Sequence, residues 1–228
     1  MEVKTQDISK IYRISGKDVK VLDEVNVSIP SGAFVIISGV SGVGKTTLLS
    51  IISGIELATS GKVLFDGWDF MAMNERERSD FRLRQIGFIF QNFNLIPSLT
   101  ARENVSLPLI NLKDKKEILK RADSVLEMVG IGHRADNFPD TLSFGEKQRV
   151  VVAMAIVNKP GLILADEPVS NLEDESAERI MQILYEFNQK ARVTIILCTN
   201  SGGIAKQKCD RLYRLESGRV KAANEFLS

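Results

Sequence analysis

The sequence predicts an α/β fold: a mixed, mostly parallel sheet, with a β-rich part at its N-terminal side and an inserted α-helical part in its middle. Three observations carry this expectation. The runs LILAD (from Leu162) and VTIILCT (from Val193) are apolar enough to be strands buried on both faces, and DESAERIMQILYEFNQK between them has the period of an amphipathic helix. FVIISG, from Phe34, is a further apolar strand that turns through glycines into the apolar-periodic stretch KTTLLSII. KDKKEILKRADSVLEMV and SFGEKQRVVVAMAIV read as helices, divided by the breaker-rich GIGHRADNFPDTLS, which makes the region from about Leu95 to Val157 helical.

Taken in order, the first third reads as strand-rich. VLDEVNVSI carries β-branched residues, and GKVLFDG is a short strand bracketed by glycines. After Pro160 the β/α alternation returns, and CDRLYRLESGRVKA closes the pattern as a hairpin with Ser217 and Gly218 at its turn. No internal repeat or low-complexity tract interrupts the sequence.

Composition bounds the function. At about 150 residues per domain, 228 residues make one large domain or a domain with a subdomain. With 44% hydrophobic and 26% charged residues the chain is globular in type, not disordered. Thirty basic against twenty-nine acidic residues leave a net charge of +1, so nucleic acid is not expected as a main partner. The longest apolar run, VVVAMAIV, falls short of the ~20 residues of a membrane span, and MEVKTQDISK lacks a signal-peptide core, so the sequence reads as soluble and not exported. Cys198, Cys209 and a single histidine, His133, make no disulfide framework and no zinc site. Both cysteines are expected as reduced thiols, and His133 as an exposed loop residue.

Two motifs carry chemistry. Gly39, four residues, then Gly44, Lys45 and Thr46 fit G-x-x-x-x-G-K-[ST] between a strand and a helix, the arrangement of a phosphate-binding loop. Gly39, Gly42 and Gly44 let the backbone of this loop, with Ser41 in it, turn its N–H groups towards phosphate oxygens, and the following helix adds its positive end. Lys45 is then expected on the β- and γ-phosphates, Thr46 on Mg²⁺ and Thr47 near the α-phosphate. Further on, Asp166 and Glu167 end the strand LILA at the edge where parallel sheets hold ligands. Acidic residues after a strand also serve as plain helix caps. The phosphate loop upstream favours the chemical reading, with Asp166 reaching Mg²⁺ and Glu167 polarising the water that attacks the γ-phosphate. Ser143 and Glu146, at S-x-x-E before VVVAMAIV, form a capping box that opens a helix.

With these motifs in hand, the chain resembles an ABC-type ATPase, the nucleotide-binding subunit of an ATP-binding-cassette transporter and a P-loop NTPase, over essentially its whole length. FIFQNFNLIPSLTARENVSLPL is similar to the family's Q-loop, LSFGEKQR to its signature loop, and Ser170-Asn171-Leu172-Glu173 to its D-loop. The resemblance implies a single domain, 1–228, with a nucleotide-binding core over 1–94 and 158–228 that includes an N-terminal antiparallel β-subdomain, and a helical subdomain over 95–157. It implies Gln91 as a contact to Mg²⁺ and the attacking water, Tyr12 as the aromatic stacked on adenine, and Ser143 and Gly145 as contacts to ATP held by a second, facing ATPase subunit. A strand-end glutamine and a half-exposed strand aromatic are the plainer readings of Gln91 and Tyr12. ATP, Mg²⁺, an integral-membrane permease and a location on the inner face of the cell membrane follow from the same resemblance. FRLRQIGFIFQ and FNLIPSLTARENV are similar to the branch that serves lipoprotein release, macrolide and peptide export, and cell-division complexes. A soluble relative of DNA repair or translation is disfavoured by the neutral charge and the single cassette.

Three positions depart from the family pattern. Asn200 stands where the switch strand ordinarily ends in histidine, Phe144 where the signature ordinarily has glycine, and Glu173 where the D-loop favours aspartate. An amide is shorter than imidazole and never cationic, so the sequence predicts slow hydrolysis or, as the alternative, an ATP-binding module with little turnover. The Phe144 ring either points away from nucleotide or holds the partner's phosphate off.

Overall fold

The computed structural model describes residues 1–170, 172–200 and 209–222. The chain opens with Val3–Ile14 (β1) and Lys17–Val25 (β2), an antiparallel hairpin whose two turn residues, Ser15 and Gly16, both take positive φ. Ser28–Ile29 (β3) pairs back on β1, and Phe34–Ser38 (β4) starts the second sheet. After Lys45–Ile52 (α1), Ser60–Phe65 (β5) returns to β1 and hairpins with Trp68–Asp69 (β6). Glu75–Gln85 (α2) and Ile86–Ile89 (β7) follow. Ala101–Ser106 (α3), Lys115–Met128 (α4) and Phe144–Ile156 (α5) pack on one another. Leu162–Asp166 (β8), Asp174–Ala191 (α6), Thr194–Thr199 (β9), Arg211–Glu216 (β10) and Arg219–Ala222 (β11) complete the order, with Ser217 and Gly218 turning the last hairpin as the sequence predicts.

The N-terminal sheet is antiparallel, in the order β2-β1-β5-β6 with β3 beside β1. The second sheet has the order β11-β10-β4-β9-β8-β7, parallel except for the β10–β11 edge. This is the mixed α/β architecture expected. Because strand side chains alternate between faces, the sheet divides the core in two. Phe34, Ile36, Ile163, Ala165, Ile195 and Leu197 face the α3–α6 side. Val35, Ile37, Leu162, Leu164, Ile196 and Cys198 face α1 and the antiparallel sheet, where they meet Ile8, Leu22, Val25 and Phe65. At Gly87 of β7 a Cβ would come within 2.0 Å of the Ala155 carbonyl oxygen, so only glycine lets α5 approach this strand so closely.

Helix α2, at the end of the strand-rich first third, is the element the sequence reading did not anticipate. ERERSDFRLRQ shows no apolar stripe. It is held by one aromatic anchor, Phe81, stacked 5.1 Å from Phe65 and tilted against Phe70, and by Glu75 paired with both Arg78 and Arg82. An Asn74–Glu77 capping box starts it, a signal present in the sequence but easily lost among so many charges. Among the described residues no helix is long and apolar enough to cross a membrane.

Candidate active site

Four parallel strands end side by side, and the residues after those ends meet in one cleft of about 260 Å³. The phosphate loop follows β4, Gln91 follows β7, Asp166 ends β8 with Glu167 next, and Asn200 follows β9. Ser41, Gly42, Gly44, Lys45, Thr46, Thr47, Gln91, Asp166, Glu167 and Asn200 line the cleft. Val21 of β2 lines it too, a contribution that carries no sequence signal. This carboxyl edge is where the loops of an open parallel sheet converge and ligands bind.

The loop owes its path to glycine. Gly42 and Gly44 hold φ of 77° and 108°, and a Cβ on Gly44 would lie 2.9 Å from Val21 Cγ1. Gly44 precedes α1 with no side-chain cap, and the first turn of α1 carries no acidic residue. The free amides and positive end of this helix are thus open to an anion. Lys45 is only 6% exposed, and its Nζ donates to the carbonyls of Gly39 (2.8 Å) and Val40 (3.1 Å). The same Nζ lies 3.3 Å from Glu167 Oε1.

Thr46 Oγ1 donates to Asp166 Oδ2 at 2.6 Å, while Asp166 Oδ1 is buried with no partner. Burial pushes the Asp166 carboxyl above its ordinary range; the Thr46 hydrogen bond and Lys45 oppose this, and the Glu167 charge adds to it. A bare buried carboxylate oxygen beside a threonine hydroxyl is a hard-oxygen donor set, and it fits Mg²⁺. Glu167 sits at φ 47°, a left-handed conformation unusual for a non-glycine residue. Its N–H donates to the Cys198 carbonyl and its carbonyl accepts from the Ser170 hydroxyl, which fixes the turn that aims the carboxylate at Lys45. Cys198 is fully buried behind the site, with Sγ 3.9 Å from the Lys45 carbonyl oxygen, and burial pushes its thiol well up. Both cysteines are free thiols.

Tyr12 lies beside the cleft and does not line it. Its hydroxyl donates to Glu56 Oε2 (2.7 Å) and sits 3.5 Å from Thr47 Oγ1, while Lys10 Nζ stands 4.9 Å from the ring centre and pairs with Glu56. Lys10 and Glu56 went unnoticed in the sequence, because they join Tyr12 only through the fold. Ser143 and Gly145 stand away from the cleft of their own chain. Ser143 caps α5 and shares a capping box with Glu146, whose carboxylate also pairs with Arg134. Phe144, next in line, turns its ring onto Phe93 of the same chain. His133 is exposed in a short turn. Of the D-loop, Ser170 braces Glu167 and Glu173 precedes α6, while Asn171 lies outside the described residues.

Comparison with known proteins agrees with this geometry. The family described as ABC transporter matches residues 22–170. The lipoprotein-releasing system ATP-binding protein LolD of Xanthomonas euvesicatoria pv. vesicatoria is 37% identical over 220 residues, covering 96% of this chain and 90% of that protein. The macrolide export ATP-binding/permease protein MacB of Syntrophobacter fumaroxidans is 39% identical over 225 residues; the match takes in 96% of this chain but only 31% of that longer protein. Among solved structures, the dimeric post-hydrolysis state of the ATP-binding cassette MJ0796, bound to ADP and Pi, superposes with a TM-score of 0.90 at 38% identity, covering 96% of both chains. A phosphate loop and an acidic strand end meeting in one cleft, together with these matches, place the chain in the ABC transporter family, as one of its ATP-binding cassettes.

Proposed function

We propose that this ABC ATPase subunit hydrolyses ATP between two facing cassettes and passes the resulting closure and opening to an integral-membrane permease, from a peripheral position on the inner face of the cell membrane. The observation that supports the reading best is the single cleft in which Lys45, Thr46, Gln91, Asp166, Glu167 and Asn200 converge, with Asp166 Oδ1 left bare. A triphosphate entering the loop meets the α1 amides and replaces Glu167 as the counter-charge of Lys45. Glu167 is then free to accept the proton of the attacking water. Mg²⁺, held by Thr46 and Asp166 with Gln91 nearby, supplies neutralisation of the charge on the β- and γ-phosphates. Tyr12 stacks on the adenine, and Asn200 offers an amide donor to the γ-phosphate. Ser143 and Gly145 present the open end of α5 to nucleotide on the facing subunit, which is a second copy or a related cassette. The relatives named for lipoprotein release and macrolide export support a permease as the membrane partner.

An ATP-binding module with little or no turnover is the second reading, favoured by Asn200 at the cleft, where the family resemblance leads to a histidine being expected. Steady-state phosphate release by the purified chain, against Glu167→Gln, separates the two. Release abolished in the variant supports hydrolysis by this site, and release at the variant's background level supports a binding module. In light scattering, Glu167→Gln with MgATP is expected to dimerise. A monomer under those conditions would argue for a different cassette as the facing subunit or for a signature loop defective in pairing.

A further inference from the structure

Phe93 and Phe144 belong to segments far apart in the chain, yet their rings meet edge to face, with centroids 4.5 Å apart and planes at 68°. Phe93 lies two residues beyond Gln91, in the loop that leaves β7 for the helices, and packs half-buried on the helical side of the core. Phe144 is the first residue of α5, directly after Ser143, and remains 47% exposed. The far end of the loop is separately anchored. Asn104 is fully buried, and its amide donates to the carbonyls of Ile96, Leu99 and Thr100 while accepting from the Ile96 N–H. Gln91 is exposed, and among the described residues no hydrogen bond holds its side chain. Its place in the cleft is therefore set by its backbone, tied on one side to β7 and on the other to Phe93.

We infer that Phe144 is a positioning residue: through Phe93 it clamps the loop carrying Gln91 to the N-terminus of α5, so that Gln91 and Ser143 of one subunit move as one body. The inference rests on the reading of Gln91 as a contact to Mg²⁺ and water. A ring in this contact gives Phe93 a partner of defined geometry, which a residue without a ring does not. The same contact also turns Phe144 towards its own subunit, and this bears on the choice between a ring that points away and one that obstructs a partner's phosphate.

The test uses the full chain, with Phe144→Leu, Phe144→Tyr, Gln91→Ala and the Gln91→Ala/Phe144→Leu double variant. Two quantities are measured: amide hydrogen exchange over residues 90–96, and the gain in affinity for a non-hydrolysable ATP analogue when Mg²⁺ replaces EDTA. Phe144→Leu should raise exchange in that segment and cut the Mg²⁺-dependent gain on the order of 3- to 10-fold, the scale of one lost aromatic edge contact. Phe144→Tyr keeps the ring and should keep both values. Gln91→Ala should cut the gain by itself, and adding Phe144→Leu should cut it no further, because the phenylalanine acts through the glutamine. An unchanged gain in Gln91→Ala would overturn the role given to Gln91, leaving the exchange measurement to decide the clamp. If Gln91→Ala lowers the gain but Phe144→Leu does not, or if the two add in full, Phe144 does not position Gln91. Unchanged exchange in Phe144→Leu likewise overturns the clamp.

Discussion

Replacing Asp166 with asparagine should make the nucleotide-free protein more stable while taking away most of what MgATP adds. Asp166 is 3% exposed, with one oxygen satisfied by Thr46 and the other bare. Leaving a buried polar group without a partner costs about 1–3 kcal/mol, and more when it is charged. Asparagine keeps an oxygen for Thr46 and removes the charge, although its amide nitrogen still lacks a partner, so a gain of about 1–2 kcal/mol is expected. For a chain of this size each kcal/mol moves the melting midpoint by about 2–4 °C, giving a rise of roughly 2–8 °C for Asp166→Asn in EDTA. Ligand reverses the order: wild type at about 100 times Kd gains ~2.7 kcal/mol from MgATP, whereas the variant, lacking the carboxylate for Mg²⁺, gains much less. The pH dependence has a definite sign. Burial raises the folded-state pKa of Asp166 above its ordinary 3.8. Between the unfolded and folded values the folded state holds the extra proton, so stability falls as pH rises through that window and the penalty is complete above it. The advantage of Asp166→Asn should therefore be small at the acid end and full at neutral pH. Differential scanning calorimetry of both proteins in EDTA and in MgATP, across pH, provides the assay. A variant that melts below wild type without nucleotide, or one that gains as much from MgATP, would refute the reasoning.

Lys45→Ala should lose nearly all MgATP affinity in calorimetry and also melt lower, by the order of 3–5 kcal/mol typical of a broken buried pair, since Glu167 is 7% exposed and would lose its partner. Adding Glu167→Gln should restore the melting point but not the affinity; a restored affinity would contradict the phosphate-loop assignment. Asn200→His should raise phosphate release with little change in ATP affinity, because a donor to the γ-phosphate acts mainly in the transition state, and the gain should vanish when combined with Glu167→Gln. A flat rate in Asn200→His that stays flat when Phe144→Gly is added would remove Asn200 from the reaction, whereas relief by the double substitution would make subunit closure the limiting step. Tyr12→Ala should weaken ATP binding by about 1 kcal/mol through the lost stacking partner. Equal affinities by titration would assign the adenine contact elsewhere.

The phosphate loop and the acidic strand end were legible because each is a contiguous run: glycines, lysine and threonine at fixed spacing, and two carboxylates directly after four apolar residues. Backbone geometry over a few residues decides what such runs can do, so spacing alone carries the chemistry. The buried strands and amphipathic helices were legible for the same reason, since periods of two and 3.6 residues are local properties. Helix α2 was not, because its stability comes from Phe81 against Phe65 and Phe70 and from ion pairs, not from an apolar stripe. Only the tertiary structure joined Glu56 and Lys10 to Tyr12, set Cys198 behind Lys45, and laid Phe144 on Phe93. Those contacts depend on strand order. With β4 lying between β10 and β9, and β8 between β9 and β7, the ends of strands distant in sequence are brought side by side. Pairing and burial across the whole sheet select that order, and no local stretch of residues encodes it.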